Sequence, residues 1–486
     1  MMSTLSALQS ASASALPRCS SGSEDSKATS VVAFILYDLE TSGLSKRFDQ
    51  ILQFAAVRTD PDLVETHRFE TKSRLMPHVV PSPQALLVTG HTFDDANSLS
   101  RQSHYSMVCE VANTLASWCS ATFLGYNSIR FDEEFLRQAF YQCLHPVFLT
   151  NTNGNARADV LNLMRAATTL YPSVVHVGFE PDGRPTHRLG AVAAANGIVS
   201  HKVHDAAADV DAMLGLCRLV RAGAPDLWST FLRFSTKVAV LDFVRDEEAF
   251  AYFDYFGRPQ VMHFLTRVGI SPNDANSHYC LDLACDIDAL RRLNDGELAA
   301  RMTVEPRPIR RLKVNASPLL YPLWDIDAER FHDLTEDECA RRASSVRNDP
   351  EFMAALTRAA ATLDLAYPPS DHVEEQIYGG TFISDADAEL CRQFHGVPWE
   401  ARPDIVHRFQ DVRLKRLGRR LIYFESPHLL DEAQRRVIAD DIAARRRGEG
   451  KYASPPWMTI AAALSELESI QSGVTDAFKR PFYELR

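Results

Sequence analysis

The sequence of 486 residues has no apolar run approaching the roughly 18 residues that a membrane-spanning helix requires. Its nine cysteines form no Cys-x-x-Cys pair, and the closest two, Cys280 and Cys285, have no second Cys or His pair to complete a zinc motif. We therefore expect reduced thiols in a cytoplasm-like compartment. Basic residues are also in deficit, since 52 Lys and Arg face 63 Asp and Glu. The net charge of −11 argues against a generally basic surface but still permits a local basic groove.

The length and composition indicate a globular protein of two or three domains, with 45% hydrophobic and 24% charged residues. Residues 1–30 are rich in Ser and Ala and show no hydrophobic period, which predicts a disordered tail. Because this tail carries few basic residues, an organelle-targeting role is the less favoured alternative to a cytoplasmic location.

Hydrophobic patterning divides the rest of the chain into three parts. Residues 31–224 alternate strands and helices, with one helix expected over Asp94–Cys119, and predict a mixed α/β sheet. Residues 225–368 predict a small β-rich domain, and residues 369–486 are mostly helical. The short apolar runs that indicate the β-rich domain are Lys237–Phe243, Gln260–Leu265 and Tyr279–Leu283.

Two acidic residues end the first predicted strand, in the stretch FILYDLETSGL from Phe34 to Leu44. Asp38 and Glu40 are two residues apart, so both side chains point to the same face of the strand. Two such charges are costly together unless a cation lies between them, and magnesium prefers oxygen ligands. The alternative is an ordinary strand that ends in a polar turn.

A third acid follows in LGYNSIRFDEEF, where an apolar strand passes through a turn into a helix. Asp132 lies at this helix start, and Asn127 and Arg130 precede it in the turn. Alone, an aspartate at a helix start is more often there for the helix dipole. Its importance depends on the other acids.

The segment HDAAADVDA adds a histidine and a fourth acid. His204 is predicted in a loop and Asp209 in the following helix, with Asp205 as its N-cap. Four acids from three different elements suit two metal ions that clamp the attacking water and leaving oxygen of a phosphodiester, with Asp38 as the bridge. A neutral histidine nearby can accept the proton of that water.

The order Asp-x-Glu, Asn-x-x-Arg-Phe-Asp and His-x-x-x-x-Asp resembles the DEDDh exonucleases, which share a ribonuclease-H-like fold. Later segments favour the exodeoxyribonuclease I family within this group over shorter proofreading subunits or ribonucleases. The segments that resemble this family are QFAAVRTD, LVTGHT, RLGAVAAANGI, LDLACDIDAL and SDHVEEQIYGGTFISDAD. The resemblance implies an SH3-like barrel for the middle domain and a helical C-terminal domain.

The resemblance also implies roles for individual residues. The implied ligands of two Mg²⁺ ions, for which Mn²⁺ can substitute, are Asp38, Glu40, Asp132 and Asp209. His204 is the implied general base. The implied substrate contacts are Glu40, Arg188, Asn127 and Arg130, and a guanidinium such as that of Arg188 suits a phosphate.

The function implied by the resemblance is 3′→5′ hydrolysis of single-stranded DNA to 5′-mononucleotides in DNA repair and recombination. The expected partner is the acidic tail of single-stranded-DNA-binding protein, and the expected protein is a monomer in the cytoplasm, associated with the nucleoid. Another DEDDh nuclease, or a non-catalytic nucleic-acid-binding scaffold, is the alternative. Leu39 and Ser42 replace aromatic residues usual in the family, and Ala158 replaces a Trp.

A cluster of five basic residues is predicted on one C-terminal helix. This cluster comprises Arg413, Lys415, Arg416, Arg419 and Arg420. It is either a solvated helix face or the lining of a DNA groove.

Overall fold

A computed structural model describes most of the chain. The described residues are 33–198, 205–254, 261–331, 334–364, 370–450 and 455–476. The predicted tail over residues 1–30 lies outside them. No helix in these ranges is both long enough and apolar enough to cross a membrane.

The first sheet has five strands and mixed directions, as the sequence predicts. Its strands are β1 (Ala33–Thr41), β2 (Ile51–Thr59), β3 (Glu65–Lys72), β4 (Ala121–Gly125) and β5 (Ala156–Asp159). Their spatial order is β3-β2-β1-β4-β5. The central strand β1 is antiparallel to β2 and parallel to β4. This arrangement confirms the mixed α/β sheet expected for the first part of the chain.

Among the described residues, seven α-helices and a small hairpin accompany this sheet. The helices are α1 (Pro83–Val88), α2 (Phe93–Ala96), α3 (His104–Ser117), α4 (Asp132–Gln142), α5 (Val160–Leu170), α6 (Leu189–Ala195) and α7 (Ala206–Gly223). The hairpin pairs β6 (Gly178–Phe179) with β7 (Pro185–Thr186).

The single helix expected over Asp94–Cys119 is wrong, because two helices occupy this stretch. The first ends at Ala96, and the second starts after Ser103, whose side chain accepts a hydrogen bond from the backbone N–H of Ser106. A serine in this role satisfies an N–H group that the first helical turn leaves open. The polar segment between Ala96 and Ser103 is therefore not helical and ends in the cap that starts α3.

The two faces of β1 are buried against different elements. Phe34 and Leu36 belong to a core shared with α7, whereas Tyr37 belongs to a core shared with α3 and α4. Since side chains alternate along a strand, Asp38 and Glu40 continue the face that lies against α7. The strand therefore directs both acids toward that helix.

The second sheet confirms a β-rich middle region. Its strands are β8 (Phe250–Asp254), β9 (Val261–Ile270), β10 (Ser277–Asp282), β11 (Ile309–Lys313) and β12 (Leu320–Pro322). They are antiparallel in the order β11-β10-β9-β8-β12. The helices of this region are α8 (Pro225–Arg233), α9 (Lys237–Asp246), α10 (Ile287–Arg291), α11 (Asp295–Arg301), α12 (Glu336–Arg347) and α13 (Pro350–Ala361).

The strand expected over Lys237–Phe243 is wrong, since this run forms part of α9. Thr236 caps the helix by accepting a hydrogen bond from the backbone N–H of Ala239. Val240 and Phe243 are buried and are spaced as one helix face requires. The cap and this spacing favour a helix over a strand.

The last part of the chain is helical, as expected. Its helices are α14 (Asp385–Gly396), α15 (Arg402–Arg408), α16 (Val412–Glu425), α17 (Glu432–Arg447) and α18 (Ile460–Asp476). Phe394 and Leu417 lie in the same core as Phe140 of α4, so these helices pack directly on the first sheet's outer layer. The division of the chain at residues 225 and 369 stays a prediction.

Candidate active site

Three carboxylates converge between β1 and α7. Oxygen atoms of Asp38, Glu40 and Asp209 all lie within 4.8 Å of one another. Asp38 is 8% exposed and Glu40 is fully buried, while Asp209 is partly exposed. Three acids so close and so buried require a compensating cation, and their all-oxygen donor set suits a hard divalent ion. The structure therefore brings together three of the four predicted ligands.

The start of α7 is fixed by a contact that the sequence did not reveal. Asp205 is the N-cap, as predicted, and accepts a hydrogen bond from the backbone N–H of Ala208. Gln53 pairs with Glu40 across the sheet, and its amide donates to Asp205 at 3.4 Å and to Glu70 at 3.0 Å. Gln53 thus joins the strand that carries Glu40 to the helix that carries Asp209. Its polar side chain among the apolar residues at the start of β2 was the available signal.

Asp132 is the first residue of α4 and is 4% exposed. Its helix follows β4, which is the parallel neighbour of β1. Among the described residues, the close carboxylate group comprises the other three acids, so the ligand role of Asp132 stays a prediction.

Glu133, next to Asp132, anchors this helix start inside the protein. Its carboxylate accepts hydrogen bonds from Tyr37 at 3.1 Å and from Arg137 at 3.2 Å, and Arg157 lies 2.9 Å away. Burial lifts the pKa of Tyr37 well above its usual value, and the Glu133 charge adds to this effect. A neutral Tyr37 therefore remains a donor to Glu133 and holds α4 against β1.

The turn before Asp132 is held by Asp159, which the sequence did not identify as important. Asp159 accepts backbone hydrogen bonds from Asn127 at 2.8 Å, Ile129 at 3.3 Å and Leu161 at 3.1 Å. Burial raises the pKa of this carboxyl to about 6. Asn127 adopts a left-handed backbone with φ of 59°, a conformation that Asn tolerates better than most residues. The geometry of this turn thus depends on a buried acid 32 positions later in the sequence.

Arg188 lies immediately before α6, where its guanidinium forms an ion pair with Glu180 at 3.3 Å. The hydroxyl of Tyr126 donates to the carbonyl of His187. This bond joins the segment of Arg188 to the turn that carries Asn127. The phosphate-binding role of Arg188 stays a prediction.

His204 lies outside the described residues, which resume at residue 205. Two of the departures from the family pattern, Leu39 and Ser42, lie in the described part of the chain. Leu39 is 1% exposed and belongs to the core on the opposite face from the acids. Ser42 is buried and donates to Asp49 at 2.9 Å. The Leu39 side chain thus faces away from the carboxylates, and that of Ser42 is engaged by Asp49.

A basic cavity of about 420 Å³ lies between the turn before α4 and the second sheet. Asn127 and Arg130 line it, together with Asp159 below the turn. Its cationic lining residues are Arg130, Arg137, Arg157, Arg165, Arg311 and Lys313. Cations thus outnumber the acids of its lining, Glu134, Asp159 and Asp274. On a protein with net charge −11, the cavity is therefore a local concentration of basic residues.

Residues 35–217 match the RNase_T family model, whose description is exonuclease. These residues include the converging acids and both faces of the first sheet. This part of the chain is therefore similar to the exonucleases that the family model describes.

Most of the chain is similar to exodeoxyribonuclease I, as the sequence motifs indicated. It is 28% identical to the Escherichia coli K12 protein over 404 residues, which cover 79% of this chain and 83% of that one. It is also 28% identical to the Haemophilus influenzae protein over 425 residues, covering 82% and 86%.

Solved structures show the same fold. E. coli exonuclease I in complex with a dA16 oligonucleotide has a TM-score of 0.81 at 23% identity, covering 93% of this chain and 96% of that one. Exonuclease I from Methylocaldum szegediense has a TM-score of 0.80 at 24% identity, covering 91% and 95%. A zinc-bound complex of the E. coli enzyme with single-stranded DNA is also similar, with a TM-score of 0.78.

Proposed function

We propose that this protein removes 5′-mononucleotides from the 3′ end of single-stranded DNA by metal-dependent hydrolysis, in DNA repair and recombination. The observation that carries the proposal is the convergence of Asp38, Glu40 and Asp209 inside an exonuclease domain. The similarity to exodeoxyribonuclease I over most of the chain supports single-stranded DNA as the substrate.

The acidic group is suited to hold two Mg²⁺ ions, with Mn²⁺ as a substitute, and Asp132 is the proposed fourth ligand. Bound there, the ions would activate the attacking water and stabilise the leaving oxygen. Asp38 is the proposed bridging ligand. Glu40 is also proposed to contact the terminal nucleotide, as the resemblance implies.

Side chains around the acids have complementary roles. His204 would accept the proton of the attacking water, since a neutral imidazole titrates near physiological pH. Arg188 would bind a phosphate through its guanidinium. Asn127 and Arg130, at the mouth of the basic cavity, would hold the strand leading to the acids. Phosphate contacts of this kind position a strand without reading its sequence.

The wider proposal concerns partners and location. The resemblance supports binding of the acidic tail of single-stranded-DNA-binding protein, a monomeric state and a cytoplasmic, nucleoid-associated location. An acidic protein that carries local basic surfaces can attract an acidic peptide to those surfaces without binding anions everywhere.

The test is degradation of matched single-stranded DNA, duplex DNA and RNA, each labelled at one end, with Mg²⁺ and with excess chelator. We expect shortening of single-stranded DNA only, and only with the metal. Preferential shortening of RNA would instead assign a DEDDh ribonuclease. Tight binding of DNA without any degradation would assign the non-catalytic scaffold.

A further inference from the structure

A second group of metal-ligating side chains lies away from the acidic site. Cys109 belongs to α3, His145 follows α4, and His395 belongs to α14. One ligand atom from each of the three lies within 4.8 Å of the other two. We refer to these residues as the Cys-His-His cluster. It joins the exonuclease domain to the C-terminal helices at a point where no sequence spacing could reveal it.

The distances in the cluster match a tetrahedral metal site. Cys109 Sγ lies 3.3 Å from His145 Nε2 and 3.9 Å from His395 Nδ1. Zinc bonds of about 2.3 Å to sulfur and 2.0–2.1 Å to nitrogen place a sulfur and a nitrogen about 3.6 Å apart at the tetrahedral angle. The two observed separations lie on either side of this value. The two imidazole rings are stacked, with centroids 3.9 Å apart and planes 12° from parallel. Both rings must therefore rotate to direct their lone pairs at one ion.

The surroundings orient the ligand atoms correctly. His395 Nε2 lies 3.1 Å from the carbonyl of Leu144 and must donate to it, which leaves the Nδ1 lone pair facing the cluster. Tyr105 donates its hydroxyl to this Nδ1 at 3.0 Å and accepts a hydrogen bond from Arg402 at 2.8 Å. A metal-binding histidine usually has such a carbonyl partner on its second nitrogen. The hydroxyl of Tyr105 also stands where a fourth ligand is needed.

The two imidazoles of the cluster are ready to bind a cation, whereas the thiol must first lose its proton to the incoming ion. Burial lowers the pKa of His395 to about 4 and that of His145 well below its usual value, so both rings are neutral at pH 7. Burial raises the pKa of the Cys109 thiol to about 12, so the thiol keeps its proton until an ion arrives. A coordinated thiol loses that proton outright. Cys109 and His395 are both partly exposed, which gives the ion a path in and the proton a path to solvent.

We propose that the Cys-His-His cluster binds one Zn²⁺ or a similar thiolate-preferring divalent ion, with the Tyr105 hydroxyl or a water as fourth ligand. Binding forms one metal–sulfur and two metal–nitrogen bonds and releases the thiol proton to solvent. Sulfur and imidazole ligands select such ions over Mg²⁺. The ion cross-links α3 and the end of α4 to α14. The site is independent of the acidic group, which contains oxygen ligands alone.

The test is titration of the chelator-treated, full-length protein with Co²⁺ as the probe. We expect a thiolate-to-cobalt charge-transfer band in the near ultraviolet that saturates at one equivalent. Co²⁺ at the carboxylates gives no such band, because no sulfur is present there. The band should disappear in Cys109→Ser and persist in the control Cys285→Ser, a partly buried thiol of the middle region.

Displacement of the bound Co²⁺ by added Zn²⁺ measures the affinity of the cluster for Zn²⁺. Tyr105→Phe should weaken Zn²⁺ binding by about 10–100-fold, the usual cost of removing a residue that supports a metal ligand. His395→Gln provides a second ligand variant if Cys109→Ser does not fold, and it should also lose the tight site. No charge-transfer band in the wild-type protein, or an unchanged band in folded Cys109→Ser, would overturn the proposal.

Discussion

At the scale of single residues, the site depends on the alternation of one strand. Asp38 and Glu40 flank Leu39, whose side chain is buried on the other face of β1. This pattern is readable from the sequence, because the two-residue period of a strand fixes which side chains share a face. The approach of Asp209 was predicted only from the order of the motifs. Its distance from the strand acids depends on how α7 packs.

The supporting residues could not be predicted in the same way. Asp159 accepts hydrogen bonds from three backbone N–H groups. Gln53 donates a hydrogen bond to Asp205, the N-cap of α7. Such contacts leave no spacing pattern, since they depend on the path of a turn and on packing between distant segments. A sequence shows ligands more readily than the groups that position them.

Replacement of His204 by Ala should lower the rate of the chemical step by about 10²–10⁴-fold, the range for loss of a general base. Binding of DNA should change little, because the phosphate contacts are retained. Single-turnover cleavage and equilibrium binding, measured on the same preparation, separate the two effects. An unchanged single-turnover rate would remove His204 from the mechanism.

Arg188→Ala should weaken binding of single-stranded DNA to the same extent for every terminal base, because a phosphate contact carries no sequence information. Arg184→Ala is the matched control, since Arg184 is an exposed residue of the same segment that pairs with Asp182. Binding of oligonucleotides that differ only in the 3′ base gives the comparison. A defect that depends on this base would assign Arg188 to base contact instead.

At the scale of elements, α16 differs from the expected basic face. Arg413 donates to the backbone carbonyls of Gln376 at 2.9 Å and Thr381 at 2.8 Å, and its side chain is largely buried. These bonds fix the segment before α14, so the cation is not available to line a groove. Arg416 and Arg419 are exposed, so contact of these two residues with DNA stays a prediction. Whether the remaining cations form a solvated face or line a DNA groove stays a prediction.

Arg420 is the second structural cation of α16. It lies 2.6 Å from Glu374 and donates to Gln142 at 2.8 Å. Burial alone would raise the pKa of Glu374, but Arg420 and Arg445 hold it well below its usual range. The buried carboxylate thus depends on both guanidiniums.

Arg420→Ala should therefore lower the free energy of unfolding by about 3 kcal/mol, the lower end of the cost of breaking a buried ion pair, because Arg445 still neutralises Glu374. Urea denaturation measures the change. The control Arg419→Ala, at an exposed position one residue earlier, should stay within about 0.5 kcal/mol of wild type. Equal stability of the two variants would contradict the structural role of Arg420.

Helices and strands were predicted well where the hydrophobic pattern extends over many residues. They were predicted poorly where a capping residue determines whether and where a helix starts. The helix α7 and the strand β2 follow their hydrophobic patterns closely. The run that became α9 is short and apolar, and such runs fit a strand or a helix equally by composition. The cap at Thr236 settles that choice, just as Ser103 settles the start of α3.

At the scale of the whole molecule, the three parts share cores that no local pattern specifies. Phe394 and Leu417 pack with residues of α4 more than 200 positions earlier in the chain. The Cys-His-His cluster arises from the same long-range packing. The fold class was predictable because motifs and periodicity are local, whereas these junctions depend on the complete tertiary arrangement.

Buried histidines make stability depend on pH. Burial markedly lowers the pKa of five described histidines, namely His78, His104, His145, His187 and His395. They stay neutral when folded but bind protons when unfolded below about pH 6.5. The folded state is therefore not penalised by these histidines above pH 6.5. The free energy of unfolding falls as the pH decreases from 6.5 toward 4. Asp49 and Asp159 act oppositely, because burial raises each pKa to about 6, but they are fewer.

The free energy of unfolding should therefore fall between pH 6.5 and 4, with each buried histidine contributing about 1.4 kcal/mol per pH unit. Urea denaturation across this range measures the slope. His104→Gln should reduce the slope, whereas the exposed control His176→Gln should leave it unchanged. A stability that rises as the pH falls through this window would contradict the assignment.

The most direct test of the proposed activity compares two neighbouring acids of α7. Asp209 belongs to the carboxylate group, whereas Asp211 is exposed and pairs with Arg68 at 2.6 Å. Single-stranded DNA labelled at its 5′ end is digested with Mg²⁺ by wild type, Asp209→Asn and Asp211→Asn. We predict progressive shortening of the labelled strand by wild type and Asp211→Asn, and none by folded Asp209→Asn. Equal shortening by Asp209→Asn, or immediate release of the 5′ label as a mononucleotide, would contradict a 3′→5′ exonuclease centred on these carboxylates.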